Sequence, residues 1–171
     1  HTYPNKTDFW KVQGPENYIS FSFFDIDNVL LDEVDYTQTT LSALVYNNNF
    51  YEITQQQKEN IRLALNEFEK VLNVKFVEVT EQNNQVGTIR FGISQADFGS
   101  AAAWGQVPGD YWAQYGDIWM DKDFANGDFS KGTYEFGVYL HEIGHAMGLA
   151  HPHEDGLPGA EVLRNEIDYT N

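Results

Sequence analysis

At 171 residues, with 42% apolar and 15% aromatic residues, the chain has enough apolar surface for one domain with a core of its own. Its formal net charge of −16 opposes binding to nucleic acid or anionic membranes, and the lack of cysteine excludes disulfides, thiolate metal sites and thiol catalysis. No run approaches the roughly 18 apolar residues of a membrane span.

The first segment, residues 1–17, carries Pro4, Gly14 and Pro15 and reads as a lead-in. It has no apolar stretch of the secretory kind, so an export signal is not expected within it. Tyr18-Ile19-Ser20-Phe21-Ser22-Phe23-Phe24 alternates apolar and polar residues and predicts a strand. An acidic run follows, through Asp25, Asp27, Asp32, Glu33 and Asp35. A calcium loop starting at Asp25 would need an oxygen ligand at its fifth position and glycine at its sixth, where Val29 and Leu30 stand, so a solvated loop is expected.

Thr54–Leu72 predicts a helix: Thr54 and Gln57 have capping-box spacing, and Ile61, Leu65, Phe68 and Leu72 form one apolar stripe. Residues 74–80 and 88–94 read as strands joined by the polar turn 81–85. The stretch 95–116 is rich in glycine, alanine and aromatics, small enough in places for another backbone to approach closely. Ile118-Trp119-Met120 predicts a short strand, and a polar loop leads to a helix beginning near Thr133. Phe136, Leu140, Ile143 and Met147 recur at spacings of three and four on that helix, giving it one buried face.

The same helix carries the chemistry. Residues 141–151 read His-Glu-x-x-His-x-x-Gly-x-x-His. A chain of this length matches five such fixed positions by chance about once in 10^5 trials. His141 and His145, four apart, rise about 6 Å along the axis on nearly one face, so two imidazoles can converge on one ion. Gly148 can take the left-handed conformation that ends a helix and let the chain bring His151 back as a third ligand. Three protein ligands leave zinc a position for water, the open geometry of a catalytic site, and Glu142 stands where a general base is needed.

These residues resemble the signature of the metzincin clan of zinc endopeptidases. Gly116-Asp117-Ile118-Trp119 before the helix, residues 141–149 within it and His151-Pro152 after it are similar to the serralysin-type branch, secreted bacterial proteases. The resemblance implies an α+β, zincin-like fold: a twisted, mostly parallel sheet with an antiparallel edge strand, packed on two long helices. Residues 18–151 would form its upper subdomain and 152–171 the start of an incomplete lower one. It implies one catalytic Zn2+ on His141, His145 and His151, Glu142 as general base, protein or peptide substrates and an extracellular location. Ala101, Ala102, Ala103 and Trp104 would be the edge strand that binds an extended substrate by β-augmentation.

Metzincins also have a methionine turn beyond the third histidine, whereas Met120 and Met147 both precede His151. Arg164-Asn165-Glu166-Ile167-Asp168-Tyr169 resembles the family segment leading up to that turn, so a second polypeptide could carry the remainder. Tyr169 is an alternative metal ligand, though phenol oxygen is not a usual one for zinc. His153 is expected at the surface, with a role behind the ligands as its alternative. Calcium has no motif here, because the glycine-rich calcium repeats that often follow such domains are absent. The rival expectations are a zinc-binding fragment without activity and an interaction module presenting the edge 101–104.

Overall fold

The computed structural model describes residues 17–25, 49–82, 86–96, 99, 101–108, 114–149 and 151. The acidic run beyond Asp25, most of the lead-in, His153 and the whole of 152–171 with Tyr169 lie outside the described residues.

Among the described residues, six strands and two α-helices make the fold, with one 3-10 turn at Phe124–Asn126: β1 (Asn17–Phe23), β2 (Phe50–Tyr51), α1 (Gln55–Glu69), β3 (Val74–Glu78), β4 (Ile89–Ser94), β5 (Ala103–Gly105), β6 (Asp117–Asp121) and α2 (Tyr134–Ala146). The sheet runs β3-β1-β4-β6-β5. β1 pairs in parallel with β3 and β4, and β4 with β6, while β5 runs antiparallel to β6 at the end of the order. β2, too short to show as a period in the sequence, pairs antiparallel with the end of β4. This is the expected α+β arrangement of a mostly parallel sheet with an antiparallel edge strand and two long helices.

Period-two alternation decides what each face of the sheet buries. Ile19, Phe21 and Phe23 on β1, Ile89, Phe91 and Ile93 on β4, and Ile118 and Met120 on β6 form one core with Ile61, Ala64 and Leu65 of α1 and Phe136, Tyr139 and Ile143 of α2. The intervening residues Ser20, Ser22, Thr88 and Arg90 are buried as well, on the opposite face. There, the Ser22 hydroxyl donates to Glu81, and Arg90 grips the same carboxylate through Nε and Nη2 at 2.6 and 2.7 Å. β1 is therefore covered on both faces, as parallel strands are, rather than on one.

Both helices begin where the sequence says. Thr54 and Gln57 make the full capping box, and Thr133 Oγ1 accepts from the Phe136 N–H. α1 stops at Glu69, so Leu72 falls outside the helix and is 43% exposed rather than completing the stripe.

Candidate metal centre

α2 presents the motif on two adjacent faces. Successive helical residues are turned by about 100°, so Glu142 lies on the face next to the one shared by His141 and His145. Its side chain is only 7% exposed, whereas His141 is exposed and His145 half-buried.

The turn after α2 delivers the third histidine. Gly148 takes φ +95°, a left-handed conformation that strains any residue with a Cβ. Its N–H donates to the His145 carbonyl at 2.8 Å and the Leu149 N–H to the Gly144 carbonyl at 2.9 Å. Those paired bonds define a Schellman turn. The Leu149 carbonyl then accepts from His145 Nδ1 at 2.8 Å. That bond places the ring proton of neutral His145 on Nδ1 and leaves Nε2 as a bare lone pair, the usual support for a metal-binding imidazole.

The three Nε2 atoms of His141, His145 and His151 form a triangle with edges of 3.1, 3.0 and 3.0 Å. A tetrahedral ion with Zn–N bonds of about 2.0–2.1 Å needs its nitrogens about 3.3 Å apart, so this donor set fits zinc with a shift of a few tenths of an ångström. Among the described residues it is the one group of three or more histidine or acidic side chains gathered at metal spacing. Burial first, then the neighbouring His145 and His151, holds His141 below its ordinary pKa and favours the neutral ring a metal requires.

Glu142 is set differently. Burial pushes its carboxyl up to about 7, against the opposing pull of the Gly105 N–H and the His151 ring. A carboxylate that exchanges its proton near neutral pH suits a general base. Gly105 comes so close that a Cβ there would lie 2.7 Å from Glu142 Oε2 and 2.9 Å from the Glu142 carbonyl oxygen. The end of β5 is thus pressed onto α2, and only glycine allows it.

The edge strand lies slightly later than expected. Ala103 and Trp104 are in β5 together with Gly105, while Ala101 and Ala102 precede it. Ala102 still accepts from the Asp121 N–H at 3.0 Å, so the pairing extends one residue back. Gly105 and the Leu149 carbonyl were not singled out from sequence. The small-residue stretch 99–105 signalled a close approach without its partner, and Gly148-Leu149 has the spacing of a Schellman turn, whose backbone carbonyl leaves no side-chain mark.

A cavity of about 370 Å³ between the ends of β1 and β3 shares no residue with the histidine cluster. Of its acids Asp25, Glu52, Glu78 and Glu81, the last two are engaged by Arg62 and Arg90, and we place the candidate site at the histidines.

Known proteins bear on the same residues. A family profile described as matrixin, a peptidase family, matches residues 35–157. Serralysin from Proteus mirabilis is 34% identical over 120 residues, covering 62% of this chain and 24% of that protein. Serralysin C from Dickeya chrysanthemi is 32% identical over 125 residues, covering 70% and 26%. Serralysin from Photorhabdus luminescens is 30% identical over 105 residues, covering 60% and 21%. The chain spans about a quarter of the length of the curated relatives it matches. With the profile running across most of the chain and through all three histidines and Glu142, this chain belongs to the matrixin peptidase family, as a metzincin with a serralysin-like catalytic domain.

Proposed function

We propose that this domain is a zinc-dependent endopeptidase that hydrolyses peptide bonds of proteins. The observation that carries the reading is the Nε2 triangle of 3.0–3.1 Å beside a buried glutamate poised near neutrality.

His141, His145 and His151 would hold the ion through neutral imidazoles. Zinc in such a site acts as a Lewis acid, acidifying water from a pKa of about 16 towards 7 and polarising a carbonyl. Glu142 would take the proton released from water and pass it to the departing amine. Leu149 holds the His145 ring in the ligating tautomer. The edge of β5 beyond Trp104 pairs with no described strand, and an extended substrate would lie along it through backbone hydrogen bonds. Ala101 and Ala102 would extend that template at its start. An extracellular site of action belongs to the same reading.

The test is cleavage of casein by the purified chain with zinc, with a chelator, and as Glu142→Ala. Cleavage that needs zinc and falls by about 10^2–10^4-fold in the variant is expected. Turnover retained in Glu142→Ala would sink the mechanism. Stoichiometric zinc with no cleavage at all would make this a metal-binding domain without peptidase activity.

A further inference from the structure

The backbone of β5 faces two ways. The Asp121 N–H donates to the Ala102 carbonyl at 3.0 Å, and the Gln106 N–H to the Asp117 carbonyl at 2.8 Å. Antiparallel bonds recur at every second residue, so Ala102, Trp104 and Gln106 turn their backbone groups to β6. Ala103 and Gly105 turn theirs to the side away from β6, where the Gly105 N–H meets Glu142. The side chains alternate too. Ala103 belongs to the core under the sheet, and a Cβ on Gly105 would meet Glu142 of α2. Trp104 therefore stands on the other face, in register with Trp119. On that face Trp119 is fully buried, and its ring and those of Phe24 and Phe50 lie 4.8–5.3 Å apart between centroids. A Cβ on Gly92 would come within 2.2 Å of the Trp119 ring, so that ring leans over β4 and away from Trp104. Trp104 itself is half-buried, on the last strand of the sheet order.

We propose that the Trp104 side chain determines specificity, favouring an aromatic side chain on the substrate residue laid opposite it. The proposal rests on the peptidase reading above. An extended peptide running antiparallel to β5 would bond to the outward groups of Ala103 and Gly105. Its residue opposite Trp104 then falls in a pair without hydrogen bonds, where Cα atoms approach to about 4.5 Å and side chains come closest. Large apolar side chains gain most from such a pair, and two aromatic rings gain beyond the area they cover. The substrate residues on either side of it point towards α2, on the face opposite the indole. Discrimination is thus centred on one position, close to the bond that is cut because Glu142 abuts the adjoining Gly105.

The experiment scans one cleavable peptide on the zinc-loaded chain, with tyrosine or serine at each position around the scissile bond in turn. We expect kcat/KM to favour tyrosine at one position by about two- to tenfold. Trp104→Thr, which keeps a strand-forming residue and removes the ring, should bring that ratio close to one. The ratios at the two adjoining positions should stay as in the parent. No tyrosine preference at any position, or one that Trp104→Thr leaves intact, overturns this proposal and leaves the peptidase reading standing. Failure to cut any of the peptides overturns both.

A second variant separates a lost contact from a disturbed sheet. Trp104→Phe keeps a smaller ring and should lower the tyrosine ratio without abolishing it, with one zinc still bound per chain. If Trp104→Thr fails to hold zinc, Trp104→Phe decides, and a ratio equal to the parent's overturns the proposal. Equal falls at every position scanned would overturn it as well, because they would come from the strand and not from the indole.

Discussion

Two glutamates are buried among the described residues, and they are treated in opposite ways. Glu81 has no exposed side-chain surface and is surrounded by donors: Arg90 through two nitrogens, the Ser22 hydroxyl and the Asp25 N–H. Glu142 is almost as buried, yet among the described residues just the Gly105 N–H and the His151 ring favour its charge. A buried ion pair with every lone pair met is an architectural element, costly to break. A buried carboxylate left short of donors has its proton held close to the working pH, which is what proton transfer needs. The fold surrounds the first with donors and gives the second little beyond the Gly105 N–H.

The comparison can be broken most severely at Glu81. Glu81→Gln leaves Arg90 buried without its counter-charge and should cost about 3–5 kcal/mol in urea unfolding, with Glu81→Leu/Arg90→Met recovering most of it. If Glu81→Gln unfolds like the parent, the pair is no anchor.

The opposite sign is expected at Glu142. Its folded pKa, about 7, lies above the unfolded value near 4.3. The native state therefore holds the proton more tightly, and the protonated form stabilises it fully only below about pH 4. That stability is lost as pH rises towards 7. In the metal-free protein, Glu142→Gln should match the parent at pH 4 and exceed it by about 3 kcal/mol at pH 8. A variant no more stable than the parent at pH 8 would mean that the carboxylate is well solvated.

Gly105→Ala sharpens the contrast from the other side of the contact. A Cβ 2.7 Å from Oε2 must push β5 and α2 apart, an overpacking cost of about 1–3 kcal/mol accompanied by a loss of turnover. Unchanged thermal stability and kcat would show that the approach is looser than the structure gives.

The smallest effect belongs to an ordinary surface pair. The Arg62 hydrogen bonds hold Glu78 below its ordinary pKa. The stability from this pair is present above about pH 4.5 and is lost as pH falls through the lowered value. Its side chains are 36% and 40% exposed, so solvent leaves it about 0.5 kcal/mol or less. Glu78→Gln should barely move the acid limb of a stability–pH curve.

How much of this the sequence discloses depends on whether a feature has a period or a spacing. The caps at Thr54 and Thr133 and the alternation in β1 and β4 are written locally, and the structure places those elements within one to three residues. The triangle of histidines follows from helical geometry and one glycine. What escapes is contact between distant residues. Nothing in the chain near Glu81 announces Arg90, and nothing near Gly105 announces Glu142, because each pair meets only when the sheet is assembled. β2 escapes because two residues cannot show an alternation. The polar residues Ser20 and Ser22 look solvent-facing in a strand read alone, yet a neighbouring strand and Glu81 bury them.

The turn after α2 has one more consequence, and it concerns time. The bonds from Gly148 and Leu149 back into the helix are backbone bonds that form when the chain folds, and the carbonyl they fix at Leu149 accepts from the His145 ring. The turn thus orients the His145 ring and returns the chain towards His151 through bonds that need no ion. Metal uptake by the folded apoprotein should therefore be a simple second-order event, with a rate linear in ion concentration and no slow unimolecular phase following it. In stopped-flow mixing, a Gly148→Ala protein, whose turn must adjust around a strained residue, should acquire the lag that the parent lacks.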